Sequence, residues 1–163
     1  MEKELDKNIA MLWRDIEQNL NLLSKKKINT KYTLKLGATE TEIKNFEKKL
    51  DISLPNDYRS SLQIHNGFSL PQELNLQNGL SIKESVKSWQ KLNEIYLDAD
   101  EWDKHFVPIS SDPRLITVLN SNDGQIIDVD PDDSPEEAFC ERDASYIEYL
   151  KLIQQDIISL LEK

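Results

Sequence analysis

Two histidines and one cysteine are the side chains best suited to nucleophilic or proton-transfer chemistry in this 163-residue chain. His65 stands near the end of the stretch LPNDYRSSLQIHNG, Leu54 to Gly67, and His105 opens a later apolar run. Cys140 lies beside Glu141 in an acidic segment. A neighbouring carboxylate disfavours the thiolate, so a thiol–imidazole pair here lacks the electropositive setting it needs. There are four glycines, and they form neither a phosphate-cradling loop nor a serine nucleophile elbow. The acidic run DVDPDD places Asp128, Asp130 and Asp132 at the first three ligand positions of an EF-hand loop. Its sixth position is Asp133 where the turn needs glycine, and its twelfth is Phe139 where the ion needs a bidentate glutamate. One cysteine and two histidines without a repeated spacing make no zinc set. No catalytic residue, metal or cofactor is therefore assigned. Carboxylate pairs of the glycosidase kind are defined by separation in space, which keeps a small carboxylate-dependent hydrolase as one alternative.

The acids make better sense as a contact surface. Net charge is −10, and it is unevenly spread. Residues 1–36 hold eight Lys/Arg and five Asp/Glu, a net of +3, while residues 121–143 hold nine Asp/Glu and one Arg, a net of −8. Such a field repels phosphate backbones and attracts basic proteins, which argues against direct nucleic-acid binding. A solvated loop serving only solubility has the same composition. In DADEWD, the acids Asp98, Asp100, Glu101 and Asp103 surround Trp102. An aromatic anchor ringed by charge suits a protein interface, and a tryptophan plugging the core where helix meets sheet suits the same sequence. The candidate partner-binding residues are Asp98, Asp100, Glu101, Trp102, Asp103, Asp128, Asp130, Asp132 and Asp133.

These residues need a scaffold, and the apolar spacing supplies one. Leu5, Ile9, Leu12, Ile16, Leu20 and Leu23 recur every three or four residues, predicting a helix over 2–24. KYTLKLG alternates and predicts extended chain. Thr39 with Glu42, and Ser81 with Glu84, have capping-box spacing before further helical patterns. Between these helices, Pro55 suits a first helical turn, and Tyr58, Leu62 and His65 share one face. Gly67 then suits a left-handed cap. This puts His65 in a last turn, packed and donating to a carbonyl. Residues 68–80 read as loop with short extended pieces. HFVPIS, LITVLN and QIIDVD are short and β-branched, and Asn122-Asp123-Gly124 predicts a hairpin between the last two. PDDSPEE is a loop, and Tyr146, Leu150, Ile153, Ile157 and Leu160 predict a closing helix. Helices, then a small mostly antiparallel sheet, then a helix make an α+β fold in a single domain over 1–163. No run of ~18 apolar residues occurs, and the first residues lack a basic start followed by an apolar block. A cytoplasmic protein without a membrane partner is the expectation, with oligomeric state open.

The run LGATETEIKNFEKKLDISLPNDYRSSLQIHNGF resembles the signature of the SUKH superfamily, SMI–KNR type. That signature is a Gly-led helix with EI…FE..L, followed by LP..Y…L..HNG. Trp89, FVPIS, the NDGQIIDVD hairpin and ASYIEYL match its later elements in order, so the resemblance spans 34–152. The N-terminal helix lies outside it, and SSDPRLITVLN lacks the glycines that members often carry there. The resemblance implies a non-enzymatic binding domain. Bacterial members are typically immunity proteins against a polymorphic toxin, often a nuclease. Fungal relatives regulate cell-wall synthesis through protein contacts, which supplies a second reading as a regulatory scaffold. It also implies that Leu54, Pro55, Tyr58, His65, Asn66 and Gly67 are structural. The expected partner is a cognate toxin with a basic surface, neutralised by occlusion.

Overall fold

Side-chain alternation along three central strands decides how the molecule is layered. In the computed structural model, which describes residues 2–26 and 30–163, these strands are β4 (Phe106–Ser111), β5 (Ile116–Asn120) and β6 (Ile126–Val129). Val107, Ile109, Leu119 and Ile126 point to one face, and Phe106, Val118, Ile127 and Val129 to the other. Both sets are buried, so both faces need cover. The first face is covered by helices α1 (Glu2–Lys26), α3 (Asn56–Ile64) and α5 (Tyr146–Leu161). The second is covered by the end of α4 (Ile82–Ile95) and the chain that follows it, through Leu92 and Tyr96. Helix α2 (Glu40–Leu50) adds Ile43, Phe46 and Leu50 to the first core.

The sheet has seven strands in consecutive order, every neighbouring pair antiparallel. Strands β1 (Thr33–Leu34), β2 (Phe68–Ser69) and β3 (Asn78–Gly79) are two residues each, with a short 3-10 turn at Gln72–Leu74. At the other edge is β7 (Phe139–Asp143). The β5–β6 hairpin forms as its turn signal predicts. Gly124 adopts φ +81°, its N–H reaches Asn120 O at 2.7 Å, and Ile116 pairs with Val129. Among the described residues, five α-helices and an antiparallel sheet confirm the α+β class.

Both predicted capping boxes form. Thr39 Oγ1 accepts from Glu42 N at 3.1 Å while Glu42 Oε1 accepts from Thr39 N at 3.0 Å. Ser81 and Glu84 repeat the exchange at 3.2 and 2.9 Å. Each pair satisfies two backbone donors that a helix start leaves unpaired. Helix α3 is shorter than its pattern predicts. Pro55 is its N-cap, with ψ 146°, and His65 follows the last turn in an extended conformation. Backbone docking explains the early stop: Asn66 N donates to Leu36 O at 2.9 Å, and Asn66 Oδ1 accepts from Ile82 N at 2.8 Å. These bonds pull the chain toward β2, and the left-handed residue Gly67 (φ +95°) completes that turn instead of capping the helix. Gly37 packs directly on α3, where a Cβ would lie 1.8 Å from Gln63 O. The larger departure is β7, which the sequence reading did not assign.

Trp13 joins the layers. It is buried, its Nε1 donates to Ser61 Oγ at 2.7 Å, and its ring meets those of His65 and Phe68 edge-on at 4.8 and 5.2 Å. Ser61 in turn lies 3.1 Å from Tyr146 of α5. Trp13→Ala therefore opens a cavity and takes one of two hydrogen-bond partners from the buried Ser61 hydroxyl. The expected loss is about 3–5 kcal/mol, read from the midpoint and slope of a urea unfolding curve.

Candidate partner-binding surface

The two acidic segments meet on an aromatic platform. Trp102 stacks on Tyr96, with centroids 5.8 Å apart and planes at 25°, and meets Phe106 edge-on at 5.3 Å. Phe139, at the start of β7, lies 5.1 Å from Tyr96 and 6.4 Å from Trp102. The Trp102 indole donates to Asn93 Oδ1 at 2.6 Å. Trp102 is thus half-buried against the second core and supports the segment that carries Asp98, Asp100, Glu101 and Asp103. Tyr96 touches the other acidic segment as well, its hydroxyl 3.5 Å from Asp130 O. Burial, and then the charges of Asp130, Asp132 and Asp133, hold the Tyr96 phenol above its ordinary range. The acids of loop 130–137 and the turn 97–103 therefore flank one ring cluster.

Within this surface the acids differ. Asp98, Asp100, Glu101, Asp132 and Asp133 are exposed. Asp130 is partly buried, accepts from Asp132 N at 3.1 Å and pairs with Arg114 at 3.5 Å. Asp103 Oδ1 accepts from His105 N at 2.9 Å and sits 2.7 Å from His105 Nδ1. Burial pushes the Asp103 carboxyl up, but these hydrogen bonds outweigh it and its net shift is downward. Leu97, 79 % exposed, and Ile95 stand bare at the edge of the first acidic segment. Reasoning from sequence fixed on Trp102 and missed Leu97. The available signal was a leucine in an acidic exit turn, outside the helical stripe of α4.

Asp128 is turned away from this group. It projects from β6 on the α5 side of the sheet, opposite Ile127 and Val129. There it joins a polar chain that crosses from α5 to β7. Tyr149 Oη donates to Ser110 Oγ at 2.8 Å, and Ser110 donates to Gln77 Oε1 at 3.1 Å. Thr117 Oγ1 lies 2.5 Å from the same Gln77 oxygen and 2.6 Å from Asp128 Oδ1. Arg142 of β7 closes the chain. Its Nη1 donates to Gln77 Oε1 at 3.3 Å and Asp128 Oδ1 at 3.4 Å, and its guanidinium sits 5.1 Å from the centre of the Tyr149 ring. Asp143 Oδ2 lies 3.4 Å from Arg142 Nε. Burial raises the Asp143 carboxyl above its usual range; Arg142 opposes the shift, and Asp128 and Glu148 add to it. No motif announces this chain, because its members come from a loop, four strands and a helix.

The residues first considered for chemistry have other work. His65 Nδ1 lies 2.8 Å from Lys35 O, and the ring packs on Trp13, so the histidine fixes the turn between α3 and β2. Cys140 is exposed on β7. A groove of about 680 Å3 between α1 and α5 is lined by Met11, Leu12, Asp15, Ile147, Lys151 and Gln154 among others, with none of the proposed contact acids.

Replacing Arg142 tests how β7 is fastened. Arg142→Met is expected to cost about 1–3 kcal/mol at neutral pH, because buried Gln77 and half-buried Asp128 lose their charged donor. The sign with pH follows from Asp143. A carboxyl raised in the folded state favours folding when protonated, so its penalty appears as pH rises through its titration. Without Arg142 that penalty grows. The deficit against the wild type should shrink as pH falls into the carboxylate range, read from denaturant curves at several pH values.

No helix among the described residues is long and apolar enough to cross a membrane. A search of curated proteins finds no match to the chain. The model of the SMI1 / KNR4 family (SUKH-1) matches residues 37–153, from the glycine packed on α3 to the middle of α5. That span covers well over half the sequence and holds all seven strands except β1. The chain belongs to the SMI1 / KNR4 family (SUKH-1).

Proposed function

We propose that this protein is an immunity protein, which binds a cognate toxin domain through the acidic surface of residues 97–103 and 130–137 and blocks it by occlusion. The observation that carries the reading is the convergence of two acidic segments, far apart in sequence, on the Tyr96–Trp102–Phe139 cluster. A packed platform of this kind holds charged loops in place, so less ordering is left to occur on binding. A toxin that acts on nucleic acid must draw in phosphate and presents a basic cleft for it. The acids are complementary to that cleft. Steering of this kind speeds encounter by ~10–1000-fold and weakens with salt. Leu97 and Ile95 supply apolar contact beside the charges, the composition of an interface core within a polar rim. Inhibition on this reading needs no chemistry on the inhibitor's side.

The test is protection of growing cells by co-expression with the toxin domain expected to be encoded beside this gene. Reversing Asp130, Asp132 and Asp133 to lysine should abolish protection and slow association with the purified toxin by ~10-fold or more at low salt. Leu97→Ala should leave the association rate nearly unchanged and speed dissociation, weakening binding by about 1–2 kcal/mol. Full protection by the charge-reversed protein would overturn the assignment of this surface.

A further inference from the structure

Strand β7 ends the sheet. It pairs with β6 along one side, and among the described residues the strand order places no further strand beyond it. Cys140, Glu141 and Arg142 are exposed in succession. In an antiparallel ladder, alternate residues turn both backbone groups toward the neighbour and those between turn them away. Asp130 N donates to Ala138 O at 2.9 Å, which sets the phase. Cys140, opposite Asp128, faces β6, and Phe139 and Glu141, opposite Val129 and Ile127, direct their N–H and C=O outward. Such an edge is a template for another strand. The side chains keep it from being a loose one: Phe139 is anchored in the aromatic platform, and Arg142 is held by Gln77, Asp128 and Tyr149.

The charge around this edge selects its occupant. Residues 130–143 contain seven Asp/Glu and one Arg, and that arginine is engaged inward. A second copy pairing along β7 would bring these acids together, and like charges across strands are destabilising. A strand bearing lysine or arginine meets the opposite situation. We infer that the outer edge of β7 accepts an extended basic strand of the partner protein, adding it to the sheet through the outward backbone groups of Phe139 and Glu141, with the weak contact from Cys140 Sγ to Glu141 O at 3.7 Å giving way. The inference rests on the proposed reading that the partner is basic, and adds to it the mode of contact.

Two short peptides of equal length and charge separate the ideas. One alternates lysine with valine; in the other every valine is proline. Each is titrated into the full-length 15N-labelled protein, following amide shifts and hydrogen exchange. Proline offers no N–H for pairing, so the proline peptide should bind ~10-fold or more weakly. Only the valine peptide should slow exchange at the Phe139 and Glu141 amides. Glu141→Pro removes one outward N–H while leaving the β6 ladder intact, as edge strands allow, and should abolish the difference between the peptides. Glu141→Gln should preserve it. If Glu141→Pro fails to fold, the two peptides on the wild-type protein decide the matter by themselves. Equal binding of both peptides, with shifts confined to the acidic loops and no slowing at Phe139 and Glu141, overturns the edge while sparing the acidic surface. Binding of neither overturns both. Protection of these two amides that grows with protein concentration alone would make a second copy the occupant and overturn the inference.

Discussion

Two tyrosines one turn apart on α5 hold the helical layer and the sheet together. Tyr146 meets Ser61, which accepts from Trp13, so α1, α3 and α5 share one buried polar contact. Tyr149 donates to Ser110 and opens the chain that runs through Gln77 to Arg142. Burial pushes the Tyr149 phenol up to about 12 and Tyr146 well above its ordinary range. Both hydroxyls therefore keep their protons and stay available for hydrogen bonding at any physiological pH. An unpaired hydroxyl in this position would cost about 1–3 kcal/mol, so the two bonds also specify which turn of α5 faces which strand. A further contact fixes the start of that helix: Asp57, in the first turn of α3, accepts from Ile147 N at 3.0 Å.

The placement of charge follows from this arrangement. Polar side chains on the α5 face of the sheet are paired inward. The acids of segments 97–103 and 130–137 lie at the opposite face and along one edge. Crowding like charges in loops costs some stability through mutual repulsion. The cost falls on segments outside the apolar cores, where exposed backbone and solvent soften it. Asp128 shows the division. It sits in the most acidic part of the sequence, yet its neighbours are Thr117 and Arg142, and it acts in packing.

Legibility in the sequence tracked how local each signal was. The helices, both capping boxes and the β5–β6 hairpin rest on residues within a few positions of each other, and they formed where the pattern placed them. The role of His65 was legible for the same reason, although the helix stops a residue early because distant backbone groups compete for Asn66. Strand β7 was hidden because FCERD lacks alternation. Its arginine serves an inward network and its glutamate faces water, so both carry charge for different reasons. Trp102 had two readings, since the acids around it say nothing about the Tyr96 and Phe139 rings that pack on it. The family resemblance added the fold's identity, but N-terminal helix α1, outside the matched span, proved to carry Trp13 and much of the first core.

The packing of α1 along α5 has a consequence for timing. Lys26 Nζ reaches Leu161 O, and Asp15 bonds Gln154, so α1 waits for α5, translated later, before the side it turns to that helix is covered. At about 5–20 residues per second, roughly ten seconds separate their synthesis. Until then the part of the sheet that α5 covers stays open, and the Trp13–Ser61–Tyr146 contact cannot exist. A ribosome stalled short of α5 therefore yields an exposed, aggregation-prone intermediate.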